Sequence, residues 1–86
     1  MTISELKEAL KSFDDNMEVI LQKDAEGNGY SPLYAVDGNA IYVPDSTWHG
    51  EIYSVEWSAD EACMEPNEWD EFKKSNPKCV VLVPIN

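Results

Sequence analysis

Residues Ser31 to Val43 read "SPLYAVDGNAIYV", two short β-prone runs on either side of an Asp37-Gly38 pair. Branched and aromatic residues suit extended backbone, and Asp-Gly supplies the positive φ of a tight turn at little steric cost. The stretch therefore predicts a hairpin, with Val36-Asp37-Gly38-Asn39 as the turn that joins "SPLYAV" to "NAIYV". A chain of 86 residues closes only one core, so the flanking segments must complete the layer that this hairpin begins.

Towards the N-terminus, "TISELKEALKSF" places Glu5 three residues after Thr2, the spacing of a capping box, and sets Ile3, Leu6, Leu10 and Phe13 at helical intervals. This predicts a helix over about residues 3–13 with one face buried. Asp14-Asp15-Asn16 stops it, and "MEVILQ" follows as a strand. Beyond the hairpin, "EIYSVEW" alternates as a further strand. Between Ser58 and Asn76 the pattern is helical again, with Ser58 and Glu61 at capping-box spacing and Asn67 as cap of a short helix carrying Trp69 and Phe72. The closing "CVVLVPIN" is apolar on both alternations and reads as a central strand with both faces covered. The expected fold is α+β: one domain over 1–86, an antiparallel-rich sheet packed by the N-terminal helix, and a second short helical region near residues 59–75.

Charge is the strongest compositional signal. Six lysines, no arginine and seventeen acids give a net charge of −11, concentrated in a domain whose compact radius of gyration would be about 12 Å. Nucleic acid and anionic membrane should repel such a chain directly, and a protein partner should be basic. No apolar run reaches membrane-spanning length and the first residues do not resemble a signal peptide, so the sequence reads as soluble and intracellular. Cys63 and Cys79 lack the spacing and companions of a zinc or redox site and read as reduced thiols.

Three groups of residues invite a chemical reading. Asp24, Glu26, Asn28 and Gly29 occupy positions one, three, five and six of a calcium loop, but Pro32 and Ala35 stand where the closing ligands belong, so a turn between strands is the better account. Asp45, Ser46 and His49 supply the residue types of a hydrolase triad within five residues, without a nucleophile elbow or oxyanion hole. Neighbouring acids such as Asp60 with Glu61, or Asp70 with Glu71, point about 100° apart on a helix and do not converge on one substrate atom. The sequence therefore points to no catalytic residue, metal ligand or cofactor.

The third group is the acidic stretch from Glu51 to Glu71. Glu51, Glu56, Asp60, Glu61, Glu65, Glu68, Asp70 and Glu71 fall there with no Lys or Arg among them, and Trp48, Trp57 and Trp69 lie in or beside it. Carboxylates steer approach to a basic groove while tryptophans supply desolvated anchors. The expected partner surface is Trp48, Trp69 and those eight acids, able to imitate part of the charge array of DNA. A solvated face serving only solubility is the plain alternative.

Segments such as "ELKEALKSFDDNMEVILQKD", "EGNGYSPL", "YVPDSTW" and "CVVLVPIN" resemble small acidic proteins encoded by tailed bacteriophages. The resemblance implies action in the cytoplasm of an infected bacterium, and a function that binds and inhibits a host nucleic-acid-binding or defence protein. A module that sequesters a metal ion or small ligand, and an assembly accessory without its own activity, are the competing expectations. Oligomeric state is left open by the sequence.

Overall fold

The computed structural model describes residues Met1–Asn86. Along the chain run helix α1 (Ile3–Leu10), strands β1 (Ile20–Gln22), β2 (Tyr30–Pro44) and β3 (Gly50–Ser54), helix α2 (Pro66–Ser75) and strand β4 (Cys79–Pro84). All strand pairings are antiparallel, which makes the fold α+β. The expected hairpin at Asp37-Gly38 is absent: both runs belong to the single long strand β2. Gly27, with φ of 78°, is the only glycine in left-handed backbone, so Gly38 does not adopt the conformation that a two-residue turn demands. Instead Asp37 pairs with Val81 and Ala40 with Cys79, so β2 carries one extra residue there as a bulge. The Asp37 carboxylate accepts the Asn39 amide at 2.8 Å, which satisfies the donor that the bulge takes off the ladder.

The bulge marks a change of partners. Before it, β2 pairs with β1 through Tyr30–Pro32 and with β4 from Leu33 onward; after it, Ala40–Pro44 pair with Gly50–Ser54. Ala40 is matched to both Ser54 and Cys79, so β3 and β4 flank opposite edges of β2. "SPLYAV" and "NAIYV" do not fold onto each other because each is paired elsewhere, the first with β4 and the second with β3. The β2–β3 connection is the true hairpin, closed by residues 45–49. At its base a Cβ on Gly50 would lie 2.6 Å from both the Tyr42 ring and the Val43 carbonyl, so the chain can cross there only without a side chain.

Two further expectations need correction. The C-terminal strand is not central: β4 pairs only with β2, and Val80 and Leu82 are exposed. Helix α1 begins at the expected capping box, with Thr2 and Glu5 bonded reciprocally at 2.9 and 3.2 Å, but none of its residues is buried. Its apolar stripe, Ile3, Leu6 and Leu10, has too little sheet to lie on. Ile3 and Leu6 face Val80 and Leu82 across an open groove.

The core lies between the β2–β3 ladder and α2. Ile41, buried, stands opposite Tyr53 in the β2–β3 ladder. Tyr53 meets Phe72 and Trp69 of α2 at ring separations of 4.9 and 6.3 Å, and Trp69 stacks on Phe72 at 5.7 Å. The Trp69 indole donates to the Trp57 carbonyl at 2.9 Å, tying α2 to the turn after β3. Helix α2 is capped at Glu65 with Pro66 in its first turn, and not at Asn67; proline has no amide to leave unsatisfied there. The Ser58–Glu61 box forms as expected, although it opens a run of turns before α2.

Only Ser31, Ala40, Ile41, Ala62 and Trp69 are buried. The radius of gyration is 15.7 Å and the longest dimension 46 Å, against the roughly 12 Å radius of a compact chain of this length. The accessible surface is 7071 Å², where a compact 9.7 kDa monomer would show about 5,100 Å².

Candidate functional site

The β3–α2 half carries the acidic stretch. Glu51 lies on β3, Glu56, Asp60 and Glu61 on the turns that follow, and Glu65, Glu68, Asp70 and Glu71 on or at the cap of α2. All eight are exposed. The local fold explains the display: Tyr53, Trp69 and Phe72 face inward to make the core, so the acids between them in sequence are turned to solvent.

Helical geometry divides the α2 acids into two sets. Glu65, Glu68 and Glu71 recur every three residues and follow one flank, spaced about 4.5 Å along the axis. Asp70 projects to the other flank beside Lys73, with Oδ1 at 3.9 Å from Nζ, and Lys73 also sits 5.2 Å over the Trp69 ring. Asp70 is thus the only one of the eight with a lysine in ion-pair range. The remaining hydrogen bonds are local: Glu61 accepts the Ser58 amide, Glu68 the Glu65 amide, Glu71 the Ser75 hydroxyl and Glu56 the Asn39 amide group. None of these donors carries charge, so the negative field is left intact.

The tryptophans separate into different roles. Trp69 is 3% exposed and cannot serve as the partner anchor expected of it; it holds the core. Trp48, 84% exposed, stands at the tip of the β2–β3 hairpin, edge-on to His49 at 5.9 Å and three residues from Glu51. Trp57, 36% exposed, packs edge-on to Tyr53 and leaves part of its ring open among Glu56, Asp60 and Glu61 in sequence. The sequence reading placed Trp48 and Trp69 together on the partner surface, whereas the helical phase of Trp69 with Phe72 marks it as the core residue.

The other two candidate groups resolve into turns. Asp24 Oδ1 accepts the amides of Glu26 and Asn28 at 2.9 and 3.1 Å, and the Asn28 amide, foremost among its partners, holds the Asp24 carboxyl below its ordinary range. Asn28 in turn donates its side-chain amide to Glu26 at 3.4 Å. No three His, Cys, Asp or Glu side chains converge anywhere in the molecule. In the hairpin loop, His49 Nδ1 lies 3.0 Å from both oxygens of Asp45, which orients the ring, but Ser46 Oγ accepts the Trp48 amide at 3.3 Å and makes no bond to His49. Acid and base are therefore paired without a nucleophile. Cys63 and Cys79 are both free thiols.

What the sequence did not single out is a set of exposed apolar residues outside the acidic stretch, with Leu10, Phe13, Met17, Val19 and Ile20 around one cleft and Ile3, Val80 and Leu82 around another. The signal was the helical stripe itself, assigned to a core that the chain does not build around it. No protein-family model, curated protein or solved structure matches this chain.

Proposed function

We propose that this protein binds a basic, nucleic-acid-binding protein through the β3–α2 surface and occupies the groove that nucleic acid would fill. The observation that carries the reading is the run Glu65, Glu68 and Glu71 on one helical flank, extended by Glu51, Glu56, Asp60 and Glu61, with no lysine in ion-pair range of any of them. Carboxylates left without counter-charge raise the local potential and speed encounter with a cationic groove. The axial spacing of about 4.5 Å is coarser than the roughly 3.4 Å per charge on one DNA strand, so the surface imitates part of that array. Trp48 supplies the apolar anchor at its margin. With the resemblance to small proteins of tailed phages taken as its setting, the partner is a host enzyme or defence protein in the bacterial cytoplasm.

Capture from bacterial lysate at low salt, followed by elution with salt and by competition with duplex DNA, tests the reading. Proteins retained by the wild type should be nucleic-acid-binding, should leave on addition of DNA, and should be lost when Glu65, Glu68 and Glu71 are changed together to Gln. Equal capture by that triple variant, or capture indifferent to DNA, would reduce the acidic face to a solubility device.

A further inference from the structure

We propose that the protein is a homodimer in which β4 pairs antiparallel with β4 of a second copy, the two α1 helices closing over the joined sheet. Three features support it. First, β4 is an open edge strand, "CVVLVP", with no charged residue to discourage pairing. Second, the surface exceeds that of a compact chain by about 1,900 Å². If two copies each hid most of that excess, the interface would total roughly 2,000–4,000 Å², the range of obligate homodimers whose interface resembles a core cut in half. Third, the surface that a second copy would cover is electrically balanced: α1 carries Glu5 and Glu8 against Lys7, with Lys11 as its C-cap and Lys78 just before β4. None of the unpaired acids of the β3–α2 surface lines this groove, although Glu56 bonds Asn39, the neighbour of its Gly38.

The ladder fixes the register. The Ile85 amide donates towards β2, to the Pro32 carbonyl at 3.0 Å, and alternation turns the amides of Val81 and Val83 the same way. The N–H and C=O groups of Val80 and Leu82 therefore face outward. A two-fold axis through Val81 would match Val80 of each copy with Leu82 of the other, and each such pair exchanges two hydrogen bonds. Pro84, which has no amide, ends the pairing. Val80 and Leu82 already line the groove with Ile3 and Leu6, so the same contact would cover the exposed stripe of α1. This inference does not depend on the acidic surface being a binding site.

Sedimentation equilibrium of the full chain should give twice 9.7 kDa at micromolar concentration in physiological salt. Changing Val80 and Leu82 together to Lys should weaken association by at least about 100-fold, because charge is costly to bury in an apolar interface. Near-UV circular dichroism, to which the packed rings of Tyr53, Trp69 and Phe72 contribute, should be unchanged in that variant. Amide exchange in the wild type provides a measure free of substitution: protection at Val80 and Leu82 should rise with protein concentration, while protection at Val81 and Val83 should not. A mass of 9.7 kDa at every concentration up to about 0.2 mM, a dimer indifferent to the two lysines, or concentration-independent exchange at Val80 and Leu82 would overturn the proposal and assign the apolar edge to a different protein or to none.

Discussion

Trp69→Ala is the substitution that most directly tests where the stability of this chain resides. The side chain is 3% exposed, touches Tyr53 and Phe72, and donates to the Trp57 carbonyl. Burying a tryptophan removes about 150–250 Å² from water, or roughly 4–6 kcal/mol at about 25 cal/mol per Å² as an upper bound. Truncations of buried aromatics cost about 3–5 kcal/mol. A chain of this length is stable by only about 4–13 kcal/mol in total, so the variant should lose a large part of its stability, up to all of it. Trp69→Phe provides the graded case: it keeps ring packing but removes the donor to Trp57, for a loss of about 1–2 kcal/mol. Urea unfolding followed by far-UV circular dichroism should show the midpoint falling in the order wild type, Phe, Ala. An Ala variant with an unchanged midpoint but weakened partner binding would refute the assignment of Trp69 to the core and restore it as an anchor.

Two further outcomes follow from local geometry. Glu5 accepts the Thr2 amide, and this bond, with the Thr2 hydroxyl and the nearby N-terminal ammonium, lowers its pKa in the folded chain; its contribution is therefore complete above the ordinary glutamate range and is lost as pH falls through that range and past the lowered folded value. NMR shifts of residues 3–10 should show α1 melting on acidification in the wild type, and Glu5→Gln should flatten the part of that response below the glutamate range. Cys63 holds φ of 59° while exposed, a left-handed conformation that costs an L-residue about 1–2 kcal/mol. Cys63→Gly should raise stability by about 0.5–1 kcal/mol after the added freedom of the unfolded chain is counted, and a lower urea midpoint would show that the thiol makes a contact worth more than the strain.

The parts of the fold legible in the sequence are those fixed by neighbours three or four residues apart. Thr2 with Glu5 and Ser58 with Glu61 identify themselves because a capping box is complete within one turn of chain. Asp37-Gly38 misleads for the opposite reason: its turn propensity is local, while the choice between turning and bulging depends on whether "CVVLVP", some forty residues later, offers the better partner. The same dependence on distant pairing hides the edge position of β4, whose two apolar faces look the same in sequence whether a strand or a second molecule lies beside it. Within the candidate site, the exposure of the acids follows from the inward phase of Trp69 and Phe72, which the sequence shows; the division between the Glu65–Glu68–Glu71 flank and Asp70 with Lys73 needs only helical geometry. The anchor role of Trp69 fails because a tryptophan at helical phase with a phenylalanine is a core residue before it is a surface one.

The bulge at Asp37–Ala40 also gives the molecule an order of assembly. On its far side, β2 meets β3 across residues 45–49, so that ladder closes cheaply and α2 can dock its aromatics at once. On its near side, Leu33 must find Pro84 across half the chain, a contact whose entropic cost is met only after the rest is in place. Low sequence separation therefore favours the β2–β3 ladder, and the β1–β2 ladder closed by residues 23–29, over the pairing of β2 with β4. In the interval "CVVLV" has no ladder to join, and chain concentration then governs whether it reaches β2 of its own molecule or the edge of another.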